Sequence, residues 1–231
     1  MPRFVALFTL VLLLLAASAF WPMYLSKSWA SIDLYTHAHA VLGTLWLLIL
    51  VLQPILIVRG YRQAHRMAGR TSLFVALGFF LSGLLLIHFR VSRMTDAAFA
   101  KEGIYIYLPL AVAVLFAAAC IFGFRWRKSA QVHARFMLST ALLLIDPVLA
   151  RIMFFYLPPL PSEHLYQAIT FTLVMAVMMY LVKSLPQHAP GRTWYRNYCL
   201  GTAATLALFF AVPYTSAWLA FANWFRVLPL T

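Results

Sequence analysis

Seven long apolar runs separated by short polar turns dominate the pattern of this chain. They lie at about 4–24, 34–58, 71–89, 104–124, 132–157, 165–182 and 198–221. Each reaches the roughly 18–20 residues that carry an α-helix across a bilayer's hydrocarbon layer. Nothing alternates with the two-residue period of barrel strands. The pattern predicts an all-α fold: an integral membrane helical bundle of seven transmembrane helices, with residues 1–231 as a single transmembrane domain. The first run follows Met1-Pro2-Arg3 and ends near Ala17-Ser18-Ala19, which mimics a secretory signal. It continues through Phe20 and Trp21, so an uncleaved first helix is expected.

The turns predict orientation. Arg3, then Arg59, Arg62, Arg66 and Arg70, then Arg125, Arg127, Lys128 and Arg135, then Lys183, Arg192 and Arg196 fall on one side. Lys27, Arg90, Arg93, Lys101 and Arg226 fall on the other. The positive-inside rule then puts the amino terminus in the cytoplasm and the carboxyl terminus outside, in a bacterial inner membrane. The loop at 91–103 reads as an ordinary polar loop. Ser162 is expected to cap the helix that follows the proline-rich turn at 158–161.

Composition agrees: 64% of the 231 residues are hydrophobic and 10% charged, which a soluble domain rarely shows. The net charge of +13 sits between apolar runs, where topology explains it, so nucleic acid is not expected as a partner and the lipid bilayer is. Cys120 and Cys199 form no CxxC pair and read as small buried hydrophobes. Nucleotide-binding glycine motifs are absent, as are a seventh-helix Schiff-base lysine and the HxxxH pair of seven-helix membrane hydrolases.

The chemistry sits in the histidines. His37, His39, His88 and His164 fall near the outer face, and His65, His133 and His188 near the inner one. His65 and His88 are roughly 35 Å apart along one helix, so they mark opposite faces. His37 and His39 are about 200° apart in helical phase, so only one turns inward. His39 shares a stripe with Gly43, Trp46, Leu50 and Gln53. Gly43 leaves room for a neighbouring helix or a flat macrocycle, and Gln53 adds a buried polar group. Gln63-Ala64-His65 before the third run echoes Gln131-Val132-His133 before the fifth. Two antiparallel hairpins would then make a four-helix core from the second to fifth runs.

Two cofactor readings follow. In the first, His39 with His88 and His65 with His133 supply axial imidazoles to two b-type haems, with Arg66, Arg70, Arg90 and Arg135 available to propionates. Such a protein passes electrons across or within the membrane, with a quinone or a redox protein as partner. In the second, His37, His39, His88, His164 and Asp146 gather near the outer face around zinc, copper or iron, as in a metal-handling or oxidase-assembly factor. A third reading is a cofactor-free transporter or accessory subunit, in which Asp146 and Arg151, charged residues inside the fifth run, matter most.

The box Gln63-Ala64-His65-Arg66-Met67-Ala68-Gly69-Arg70 and the later His133-Ala134-Arg135-Phe136-Met137, with Arg151 further on, resemble an uncharacterised bacterial family of multi-spanning membrane proteins. Its pattern is an HRxxGR box followed by an H-x-x-aromatic-Met box, and the likeness covers roughly the second to fifth runs. More loosely the chain is similar to cytochrome b561-type di-haem bundles, which implies haem ligands at both ends of four central helices. The HRMxGR segment also resembles haem A synthase, without the glutamate that usually precedes it.

Overall fold

The computed structural model describes residues 2–231, with Glu163 described by its backbone alone. It is all-helical, with no strand among the described residues. The helices are α1 (Pro2–Phe20), α2 (Leu34–Val58), α3 (Arg62–Ser92), α4 (Asp96–Glu102), α5 (Tyr107–Arg125), α6 (Ala130–Leu142), α7 (Ile145–Tyr156), α8 (Glu163–Lys183), α9 (Arg192–Leu208) and α10 (Ser216–Arg226). Six segments are long and apolar enough to cross a bilayer. This is a multi-pass membrane protein. Arg3 and Arg59 line one groove, which puts the start of α1 and the end of α2 at one end of the bundle, here the basic end.

The seventh run departs from expectation. It divides into α9 and the short α10, joined through the turn Val212–Tyr214. Pro213 stands in that turn, where its missing N–H costs no helical hydrogen bond. α10 is amphipathic and lies across the end remote from Arg3. Arg226 holds it there by an ion pair to Asp96 (2.8 Å), a bond to the Met94 carbonyl (2.6 Å) and a position 4.8 Å above the Phe99 ring. The expected polar loop at 91–103 is helical in part, as α4 with Thr95 capping through the Ala98 N–H.

The core is also wider than four helices. α1 packs against both α2 and α7, and α9 against α5, α6 and α8. α6 lies at the centre: Phe136 and every residue from Leu138 to Leu143 are buried. Phe136 fits edge-on to Tyr195 and Tyr198. Lipid tails are as apolar as leucine, so helix association here depends on such packing and on interhelical hydrogen bonds of about 0.6 kcal/mol each. Trp46 Nε1 donates to Thr140 Oγ1 (3.1 Å), and Ser139 meets the Tyr195 hydroxyl (3.2 Å). Packing therefore outweighs any single polar bond. Cys120 and Cys199 are free and buried, as expected.

α6 and α7 form one span, Ala130–Tyr156, interrupted by a turn at Leu143 and Leu144, which both keep right-handed helical dihedrals. Pro147 has no N–H to give the Leu143 carbonyl one turn back, which accounts for the interruption. After α1, Trp21–Leu25 forms one wide π-turn closed by Ser26 N–H to the Trp21 carbonyl (2.9 Å). That turn carries Met23 and Tyr24, whose partners lie on α7 and α2.

Two glycines take left-handed backbone, Gly60 (φ 78°) and Gly191 (φ 85°). A Cβ at Gly60 meets open space, whereas one at Gly191 lies 2.7 Å from the Trp126 ring. Gly60→Ala should cost about 1–2 kcal/mol from backbone strain alone. Gly191→Ala should cost about 1–3 kcal/mol more from overpacking. Thermal unfolding in detergent should rank wild type above G60A and G60A above G191A; equal losses would refute the Trp126 contact.

Candidate functional site

The histidines of the bundle collect at its two ends. At the basic end, α5 stops at Arg125, and the Gly123 carbonyl is left without its helical donor. His133, near the start of α6, donates its Nδ1–H to that carbonyl at 2.8 Å. A carbonyl only accepts, so the proton is on Nδ1 and Nε2 keeps its lone pair. Met137, one turn later, packs the end of its side chain against Gly123.

His65, at the start of α3, lies within electrostatic range of His133. Gln53 reaches it from α2. With the amide oriented to match its surroundings, Oε1 accepts from the Gly69 N–H (2.9 Å), and Nε2 donates to the His65 carbonyl (3.2 Å) and to His65 Nδ1. Gln53 thus bridges one turn of α3, and in this arrangement neutral His65 carries its proton on Nε2. The two imidazoles are complementary: a lone pair on His133, an N–H on His65.

Arg135 is not part of this group. Its guanidinium turns to α8, with Nε to the Leu181 carbonyl (2.9 Å) and a second nitrogen to Ser184 Oγ (3.0 Å). A cation at that helix C-terminus is favourable. Arg66 and Arg70 are exposed at the basic end.

At the far end His39 packs its ring on Phe79 (4.7 Å) and bonds Ser82 Oγ through Nδ1 (3.2 Å). The room expected at Gly43 is filled by that phenyl: a Cβ at Gly43 would lie 2.8 Å from it. His88 is fully buried on another face of α3, with Nδ1 against Thr231 Oγ1 (2.8 Å) and Phe225 edge-on at 5.4 Å. Ser82 and His88 differ by six residues, about 120° around the helix, so the expected His39–His88 pair does not form.

The five-residue metal cluster does not assemble either. His37 uses both nitrogens, Nδ1 with the Tyr24 hydroxyl (2.9 Å) and Nε2 with the Trp29 carbonyl (3.0 Å). It is stacked on Trp29 at 3.9 Å and joins α2 to the preceding turns. His164 meets the Tyr214 hydroxyl (2.9 Å). Among the described residues no three of His, Cys, Asp and Glu converge on one point.

Asp146 and Arg151 are neighbours without a direct ion pair. Asp146, in the first turn of α7, accepts from Thr170 on α8 at 2.5 Å. Arg151 bonds the Pro147 carbonyl (2.7 Å) and Met23 Sδ (3.3 Å) and lies 4.8 Å above the Phe20 ring. Arg151 lies within electrostatic range of Asp146, His39 and Arg90.

The partners Ser82, Thr170 and Tyr24 escape sequence reasoning. Ser82 had a signal, because α3 carries the small residues Gly69, Ser72, Ala76 and Gly83 on the stripe that faces α2. No family model matches this chain, and no curated protein or solved structure does.

Asp33 caps α2 just outside the bilayer segment, accepting from the Thr36 N–H (2.8 Å) and hydroxyl (2.7 Å). Burial opposes its charge, but those bonds and the Arg90 guanidinium hold the carboxyl below its ordinary value of 3.8. A depressed carboxyl contributes stability in full above that ordinary value and loses it as pH falls through the lower folded value. Wild-type melting temperature should therefore drop on acidification below about pH 4. Asp33→Asn, which still caps, should show a shallower drop; identical acid limbs would remove Asp33 from the balance.

Proposed function

We propose that this protein is a membrane-integral redox protein of a bacterial inner membrane, holding one b-type haem at its basic end. The observation that carries this reading is the His65–His133 pair. His133 has the tautomer that iron ligation requires, Nδ1–H fixed on a carbonyl and Nε2 directed away with its lone pair. His65 lies on the other side of the site. It is a ligand when the Gln53 amide is turned so that its oxygen accepts from Nδ1–H, and otherwise an N–H donor facing the site. Arg66 and Arg70 supply cations for the propionates. Haem contributes reversible one-electron chemistry; the chain contributes orientation, a packed surround and, through Gln53, control of one imidazole's proton. The electron partner is a quinone or a redox protein at the cytoplasmic face, where the positive-inside rule places the basic end together with the amino terminus.

A second reading has its own observation. A buried carboxylate on a proline-interrupted membrane span is a candidate group for an ion or polar solute in a transporter. Asp146 with Thr170 would be the binding group, and no cofactor would be needed.

A reduced-minus-oxidised absorption spectrum with metal analysis separates the two. Protein from haem-replete cells should show b-type bands. His133→Ala should abolish them, and His65→Ala should leave weakened, five-coordinate haem. His39→Ala and His88→Ala should leave the bands unchanged. Colourless, metal-free wild-type protein, or haem retained by H133A, would sink the redox reading.

A further inference from the structure

The charges of this protein are separated along its axis. The chain has five acidic residues, Asp33, Asp96, Glu102, Asp146 and Glu163, and their backbone positions all lie toward the far end. The basic end carries twelve arginines and lysines and no carboxylate. One of the twelve, Arg135, is occupied by α8. Counter-charge for the others must come from outside the chain.

A groove at that end has the form such a counter-ion needs. It holds about 180 Å³ between α1 and the last turns of α2. Pro2, Ala6, Pro54, Ile55 and Val58 make apolar walls, and Arg3 and Arg59 stand at its lip. The small Ala6 side chain keeps it open. Pro54, the one proline inside α2, has no N–H to offer a ligand, so the walls select for hydrocarbon. The two guanidinium groups come from different helices, and both are exposed. An apolar slot beneath paired arginines matches an anionic phospholipid, with the phosphodiester on the arginines and the acyl chain along α1 and α2. A neutral quinone would leave both arginines uncompensated.

We infer that the α1–α2 groove is a binding site for an anionic phospholipid, which fastens α1 to the bundle at the basic end. The test uses the full chain purified in detergent, stripped of lipid, and then supplied with one additive at a time. Phosphatidylglycerol should raise the apparent melting temperature by several degrees, while phosphatidylcholine, a short-chain quinone and inorganic phosphate should not. The double variant Arg3→Gln/Arg59→Gln should lose most of that rise. Ala6→Phe, which fills the groove and keeps both arginines, should lose it too, and native mass spectrometry should show less phosphatidylglycerol retained by both. An equal rise with phosphatidylcholine, a rise with phosphate alone, or a full response in A6F would overturn the assignment, as would stabilisation by the quinone in place of the lipid.

Discussion

The break between α6 and α7 is the constraint on which the rest of the structure depends. A bilayer supplies no water to satisfy backbone groups, so a helix can be interrupted only where protein surrounds it. Here the interruption falls in the most enclosed stretch of the chain, with Leu142 and Leu143 buried on one side and Ile145 on the other. Pro147 leaves the Leu143 carbonyl without its helical donor at this point, and Asp146 beside it is buried with its carboxylate on the Thr170 hydroxyl. Arg151 then returns to the Pro147 carbonyl. Both halves reach α1 and α8, while α6 alone also packs on α2, α5 and α9.

Against that centre, α2 presents a ladder of inward contacts. His39 meets Ser82, Gly43 receives Phe79, Trp46 bonds Thr140, Leu50 is buried, and Gln53 grips the His65–Gly69 turn. Those five residues were legible in the sequence as one stripe, because the helical period alone decides which α2 residues share a face. Their partners were not legible, because choosing them requires the rotation of every other helix. The same limit explains His88. Its depth was readable from residue count, but its face on α3 points to α10, and the aromatic stretch of Trp218, Phe221, Trp224 and Phe225 masks the division that Pro213 makes in the seventh run.

The two short motifs divide in a similar way. In the His133 box, Phe136 and Met137 serve packing, and Arg135 serves the end of α8. In the His65 box, Gly69 admits the Gln53 amide. Much of what makes these segments conspicuous in the sequence is the construction of the bundle, and only the imidazoles themselves remain for chemistry.

What separates a ligand from a strut among these histidines is where the ring protons are committed. His37 has both nitrogens spent on neighbours, so it can offer nothing further without unmaking the contact between α2 and the preceding turns. His39 keeps one nitrogen uncommitted but has a phenyl ring on its face and no second imidazole on the same side of α3. His133 is different: the bond that fixes its ring also repairs the end of α5, so the fold itself enforces the tautomer with Nε2 unprotonated. Opposite it, His65 takes its protonation from a side-chain amide, which can reverse by rotation where a backbone carbonyl cannot. One end of the bundle thus carries a fixed acceptor on His133 and an adjustable ring on His65, and the group that adjusts it, Gln53, is the last rung of the α2 ladder.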